Sequence, residues 1–454
     1  MAAQTALRPA KDSIPGIRDT PIIGSLKAFQ RDRLGFYLRL AHEGRDATQV
    51  HLGPFCLYIF NTPEMVQSIL VDHAADFDKG LVLHRAFDPV VGDGLINNEG
   101  DAWRHQRKLI APAFSHRHTA DYAATMVHYT EQLQAAWREG QEVRIDHALA
   151  GLTMSIIGKV LFDQDVFGET DELGAAITTV LEYMNYSISH IFPIPLTWPT
   201  ARSRKTRTAL ALINSRIQAM IDERRKSPVE RNDFLSLLLR ARAEDGSGMS
   251  DEQIREEAMT LFLAGHETTA NTLSWCIYFL TLHPAVADRL QTEADSVLGG
   301  RVATAADVPN LSYTLQVFKE ALRLYPPADS IARTALHPVV VGPYELQKGE
   351  IVGLPIYTIH RRPEFYPDPE RFDPDRFLPE AEKRLPRHAF MPFGAGPRIC
   401  IGNHFAMMEG QLILATLAQH IRFALVPGQA VVPHPVFVIR QKDGCRVIIH
   451  RRDA

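Results

Sequence analysis

Polar and apolar positions along the chain fall into stretches of different period. Around ATQVHLGPFCLYIF the alternation is that of a strand pair, and TPEMVQSILVD after it reads as a short helix. From Ala102 to about Leu282 apolar residues recur at i, i+3, i+4 and i+7, the spacing of helices that bury one face. Beyond Pro326 the pattern is mixed: HPVVVGPYEL reads as strand pieces, and PVFVIRQKDGCRVIIH as a closing strand pair joined at Lys442–Asp443–Gly444. The pattern predicts a mainly α protein with a smaller β-rich region (α+β). Its β-rich parts fall at approximately 45–62, 330–360 and 430–450, and its helical body at approximately 100–325 and 402–424. No repeat, linker or low-complexity segment sets a boundary, so residues 1–454 are expected to form a single domain.

One helix is marked at both ends. Ser250 with Gln253 makes a capping box, Asp251 and Glu252 suit the positive end of the dipole, and His283–Pro284 stops the run. The resulting helix spans about 48 Å at 1.5 Å per residue. Its middle, LFLAGHETTANTL, is apolar yet broken by polar residues. Gly265 costs about 1 kcal/mol relative to alanine in a helix interior, and Thr268 and Thr269 are stiff at χ1. Two readings follow. The threonine hydroxyls bond back to carbonyls one turn earlier and satisfy a kink, or Glu267 and Thr268 line a pocket and pass protons to a bound ligand. His266 faces elsewhere by helical phase and reads as packing.

Composition narrows the class. Hydrophobic residues make up 45%, charged residues 22%, and the net charge is −4, an ordinary globular profile without the basic stripe that nucleic acid requires. MAAQTALRPAKDSIPG has no apolar signal core and no run of about 18 apolar residues is evident, so no membrane span and a cytoplasmic setting are expected. The 4 cysteines, Cys56, Cys276, Cys400 and Cys445, share no CxxC spacing, which argues against a zinc site or a disulfide framework.

One of those cysteines stands in an unusual place. In FGAGPRICIG, Gly394 and Gly396 permit a tight turn, Arg398 offers a cation to an acidic group, and Cys400 precedes a helix whose N-terminal dipole favours thiolate. Gly402 permits close approach at the start of that helix. A phosphate loop is disfavoured, because Ile399 replaces the third glycine of GxGxxG and no strand precedes it. A buried structural cysteine would explain neither the glycines nor the arginine. The joint pattern arises by chance in about one chain in ten thousand of this composition.

FGAGPRICIG resembles the haem-binding signature of the cytochrome P450 family, the haem-thiolate monooxygenases. AGHETT, Ala264 to Thr269, is similar to its oxygen-activation motif. KEALRLYPP carries Glu320-x-x-Arg323, FDPDRF resembles its PERF-type segment with Asp375 for the usual glutamate, and DAWRHQR has its Trp-x-x-x-Arg spacing. These motifs occur in family order over residues 103 to 402. The resemblance implies haem b, iron protoporphyrin IX, with Cys400 as proximal iron ligand. It implies that Arg398, Arg107, Trp103 and Arg333 hold the propionates and that Phe393 and Gly402 lie against the thiolate. Ala264 makes room for dioxygen, and Glu267 and Thr268 deliver protons. Glu320, Arg323 and Arg376 form a structural triad.

Leu83, Phe87, Phe262, Leu263, Ala328 and Ile331 are apolar candidates for a substrate pocket, and HIFPIPLTWP is placed like the family's lid. The expected activity is insertion of one oxygen atom from O2 into a lipophilic fatty acid, terpenoid or steroid-like molecule. The resemblance is to soluble, bacterial-type members without a fused reductase. Electrons are therefore expected from a separate ferredoxin or flavodoxin with its NAD(P)H-dependent reductase, steered by Arg104, Lys108, Lys383, Arg384 and Arg387. The alternatives are a haem-thiolate peroxygenase or isomerase, and a non-enzymatic haem sensor or carrier. The retained Glu267–Thr268 pair disfavours the first, and the apolar pocket with its proton relay disfavours the second.

Overall fold

The computed structural model describes residues 14–452 apart from 22, 45, 164–169, 191, 227–230, 232 and 243–245. The first 13 residues of the stretch searched for a signal core lie outside them, as does Ile191 of HIFPIPLTWP. The chain divides into two compact units. One is drawn from Met1–His84, Ala328–Arg371 and Pro379–Cys400, the other from Arg85–Pro327, Phe372–Leu378 and Ile401–Ala454.

The first unit is built on a mixed sheet. Its strand order is Gly16–Ile17, Ala47–Leu52, Phe55–Phe60, Ile351–Leu354, Ile331–Ala335 and Phe77–Asp78. The expected strand pair is the hairpin Ala47–Leu52/Phe55–Phe60, with Val50 opposite Leu57 and Gly53, at φ +60°, turning the corner. Tyr58 then lies beside Val352 in a parallel pairing, and Arg333 opposite Val352 in an antiparallel one. Tyr58, Phe60, Val352 and Leu354 form one core with Val66, Ile69, Leu70, Met391 and Ala395. HPVVVGPYEL forms the hairpin Val339–Val341/Tyr344–Leu346.

The second unit is helical around the long helix Asp251–Leu282, whose bounds are those expected. Ser250 Oγ accepts from the Gln253 N–H at 3.2 Å, and Gln253 Oε1 accepts from the Ser250 N–H at 2.9 Å. The helix Ile145–Phe162 packs along it, and a Cβ on Gly265 would lie 2.8 Å from Ile157 Cγ1. A side chain at Gly265 would therefore collide with Ile157 of the packed helix, which accounts for a glycine in mid-helix. Ile145–Phe162 is itself strongly apolar, interrupted by Asp146, His147 and Lys159. Among the described residues it alone is long and apolar enough to cross a membrane, and 67% of that span is buried.

The closing strand pair requires a correction. Ile439–Gln441 pairs with Pro433–Pro435, while Arg446–Arg451 pairs with Ile421–Leu425 and Glu142–Arg144. Gly444, at φ +75°, turns the chain between the two sheets. Gln441 is pinned to the long helix: its Oε1 accepts from Ser274 Oγ at 2.6 Å and its Nε2 donates to the Ser274 carbonyl at 3.3 Å. A helix–strand contact thus outcompetes the local hairpin.

Candidate active site

In the first unit the cysteine loop is closed by its own backbone. The Cys400 N–H donates to the Phe393 carbonyl at 3.0 Å, and Gly396–Arg398 forms a single 3₁₀ turn with Ile399 N–H on the Gly396 carbonyl at 3.1 Å. Gly394 and Gly396 have φ +77° and +70°, and a Cβ on Gly396 would collide with the Leu70 carbonyl. Both positions are thus restricted to glycine by conformation, and the second also by space. Cys400 is exposed, whereas Cys276 and Cys445 are buried; burial pushes Cys276 and Cys445 well above the ordinary thiol range. Phe393 and Arg398 are half-buried, and Arg333 is half-buried on Ile331–Ala335. In the same unit Leu83 and Ile331 are half-buried and Ala328 is exposed.

The second unit holds the remaining sequence-predicted residues. Within the apolar middle of the long helix, Ala264, Gly265, Glu267 and Thr268 are partly accessible between buried neighbours. Thr268 Oγ1 donates to the Ala264 carbonyl at 2.9 Å, and Thr272 Oγ1 repeats this to Thr268 at 2.9 Å. Thr153 Oγ1, from the packed helix, donates to the His266 carbonyl at 2.9 Å, so side chains supplement the backbone ladder where the helix is weakest. His266 is buried, with Nδ1 3.0 Å from the Phe262 carbonyl. Burial raises the Glu267 carboxyl above its ordinary range, with the charge of Arg440 opposing, and Glu267 Oε2 makes no hydrogen bond among the described residues.

Trp103 is buried on the helix Gly100–Ile110, and the Arg107 guanidinium lies 5.9 Å from its ring centroid. Gly402 is the N-cap residue of Asn403–His420. Phe87 packs against Phe437 with ring centroids 5.8 Å apart, Leu263 is buried, and Phe262 lies against Phe162 in the helix–helix packing.

The triad residues come together in this unit. Arg323 Nε and Nη2 each donate to Glu320 at 2.7 Å, and both side chains are fully buried. The Asp373 N–H donates to Glu320 Oε1 at 2.8 Å, with Arg376 Nε 3.5 Å from the same oxygen. Burial raises the Glu320 carboxyl despite these partners, Arg323 opposing most. Asp375 turns outward to Arg289 at 2.7 Å.

Sequence reasoning missed two groups. Arg440 lies on the strand Ile439–Gln441, whose partner was misread, and Glu409, pushed up to about 8 by burial, interrupts the apolar helix nine residues after Cys400. The acid within that apolar run was the legible signal for Glu409.

An exposed thiol on a glycine-shaped loop, an acid–threonine pair breaking a long helix, and a buried Glu–Arg–Arg cluster are the features that the resemblance to haem-thiolate oxygenases implies. The chain matches the Cytochrome P450 family over residues 14–446, and it belongs to that family. It is 36% identical over 438 residues to cyclooctatin synthase of Streptomyces melanosporofaciens, covering 96% of this chain and 95% of that one. It is 34% identical over 439 residues to cyclooctat-9-en-7-ol 5-monooxygenase of the same organism, covering 94% and 95%. The retinoic-acid-bound cyanobacterial CYP120A1 superposes with a TM-score of 0.87 at 25% identity, covering 96% of this chain and 99% of that one. The protein is a cytochrome P450 monooxygenase with a haem cofactor.

The residues present fit that cofactor. Among the described residues no group of three or more His, Cys, Asp and Glu is placed to hold a metal ion. A lone exposed thiol is a sufficient protein ligand for a metal that brings its remaining ligands in a macrocycle.

Proposed function

We propose that this monooxygenase oxidises an alicyclic terpenoid-like substrate, drawing electrons from a separate ferredoxin or flavodoxin and its NAD(P)H-dependent reductase in a cytoplasmic setting. Bound haem supplies reductive activation of O2, one atom going to the substrate and the other to water. The observation that carries the reading is the cysteine loop, with Cys400 exposed and its N–H tied to Phe393.

Cys400 Sγ would hold the haem iron, and by the family resemblance Phe393 and Gly402 would tune how much charge the sulfur keeps. Arg398, Arg333, Arg107 and Trp103 take the propionates, since carboxylates entering an apolar interior need cationic or N–H partners. The small, partly accessible Ala264 would leave space for O2. Burial raises the Glu267 carboxyl above its ordinary range, so it would keep its proton to higher pH than a free carboxyl does and pass it on through Thr268 Oγ1. The same pair favours O2-dependent turnover over a peroxygenase, which has no need to gather protons.

Phe87, Leu263, Leu83, Ala328 and Ile331 supply apolar lining; Phe262 is better read as core. The names of the relatives, one the monooxygenase of a cyclic alkenol, favour the terpenoid among the three lipophilic classes. Arg104, Lys108, Lys383, Arg384 and Arg387 are exposed, which suits an acidic redox partner, although Arg104 already faces Asp101 and Lys383 faces Glu380. A spectral screen with cyclic terpene alcohols, fatty acids and steroids tests the substrate class. Terpene alcohols are expected to shift the Soret band at micromolar concentration, and tighter response to a linear fatty acid rejects the terpenoid reading.

A further inference from the structure

The chemistry above leaves one buried acid of the long helix unused. Glu257 is fully buried; its Oε2 accepts the Leu95 N–H at 3.0 Å and its Oε1 makes no hydrogen bond among the described residues. Thr260, nearly one turn on, is also buried with an unpartnered Oγ1. Against this face sits the turn 92–97. A Cβ on Gly94 would collide with Thr260 Oγ1, and one on Gly92, at φ +51°, with the Glu256 carboxyl. Glu256 accepts the Asp93 N–H, so adjacent glutamates hold two backbone donors of one turn.

The turn is also tied to the two helices it connects. Asn97 Nδ2 donates to Asp88 Oδ1 and to the Gly92 carbonyl, each at 2.7 Å, which anchors it to Gly80–Val91, the helix carrying Phe87. Buried Gln106 donates to the Asp93 carbonyl at 2.7 Å and accepts from Asn98 Nδ2 at 3.0 Å. Gln106 lies on Gly100–Ile110 between Trp103 and Arg107.

We propose that Glu257 is a positioning residue for the monooxygenase: its carboxyl group fastens the turn 92–97 to the long helix and so fixes the helices bearing Phe87, Trp103 and Arg107, and its ionisation loosens that fastening. The consequence for the haem propionates rests on the roles proposed above for Trp103 and Arg107; the fastening does not.

Burial pushes the Glu257 carboxyl up to about 8, the Leu95 N–H opposes, and the charge of Glu256 adds to the rise. Arg85 and Asp88 on Gly80–Val91, Asp93 on the turn, and Asp251, Glu252, Arg255 and Glu267 on the long helix are the other charged groups of these elements, and among the described residues Glu256 is the one whose charge acts on it. When the turn lifts, the carboxyl meets water and returns to its ordinary value of 4.5. The closed form binds the proton more tightly, so closure is strongest below that value and weakens about tenfold per pH unit up to about 8, then levels off.

Hydrogen exchange of the Leu95 amide in the haem-loaded enzyme, corrected for intrinsic exchange, reads this directly between pH 5.5 and 8. The expected opening constant rises about tenfold per pH unit in the wild type and is flat in Glu257→Gln, whose carboxamide oxygen still accepts the Leu95 N–H. Glu256→Gln is expected to keep the slope, and Gly94→Ala to raise opening at every pH. A flat wild type, a slope surviving in Glu257→Gln, a slope abolished by Glu256→Gln, or a silent Gly94→Ala overturns the proposal. Haem content of the same samples, tracked separately, tests whether loosening reaches Trp103 and Arg107.

Discussion

Arg323→Met isolates the energetics of the buried triad. In the native chain Glu320 and Arg323 are fully buried and joined by two hydrogen bonds of 2.7 Å. Removing the guanidinium leaves the Glu320 carboxylate with the Asp373 N–H and a distant Arg376 at 3.5 Å. Stranding one member of such a pair costs about 3–5 kcal/mol. Replacing both, as Glu320→Leu with Arg323→Met, removes the stranded charge and leaves mainly the unpartnered Asp373 N–H, about 1–3 kcal/mol. The double variant is therefore expected to be more stable than Arg323→Met alone, measured as the urea midpoint followed by far-UV circular dichroism. The deficit of the single variant also depends on pH. Burial already raises Glu320 in the folded chain, and losing Arg323 raises it further, so the deficit is smallest near the ordinary carboxylate range and grows as pH rises. A double variant as unstable as the sum of the two single variants, or a deficit that shrinks with rising pH, would refute the reasoning.

Two further substitutions address the site. Gly396→Ala forces a side chain into φ +70° and against the Leu70 carbonyl; the strain of about 1–2 kcal/mol and the displaced loop are expected to lower haem retention on gel filtration, whereas full retention would remove the steric argument. Thr268→Ala is expected to raise peroxide release and lower product per NAD(P)H consumed, and unchanged coupling in a stopped assay of both would count against the proton route.

The long helix was legible because its information is local: a capping box at Ser250, proline at 284 and a polar break at AGHETT. The reason for Gly265 was not, since it lies in Ile157 of another helix. The closing strands were misassigned for the same cause. Their period was correct, but Gln441 bonds to Ser274, 167 positions away, and no local rule sees that contact. Cys400, Glu320 and Arg323 could be singled out because glycines, charges and cysteine concentrate chemistry at fixed spacing. Glu257 and Arg440 could not, because their significance is burial and proximity, which residue type alone does not reveal.

The most direct measurement of the central claim, thiolate ligation by Cys400, is the carbon-monoxide difference spectrum of the reduced protein. The wild type is expected to show the red-shifted Soret band characteristic of thiolate-ligated haem, and Cys400→Ser to lose that band. A wild type without that red-shifted band, or a Cys400→Ser variant that keeps it, would contradict it.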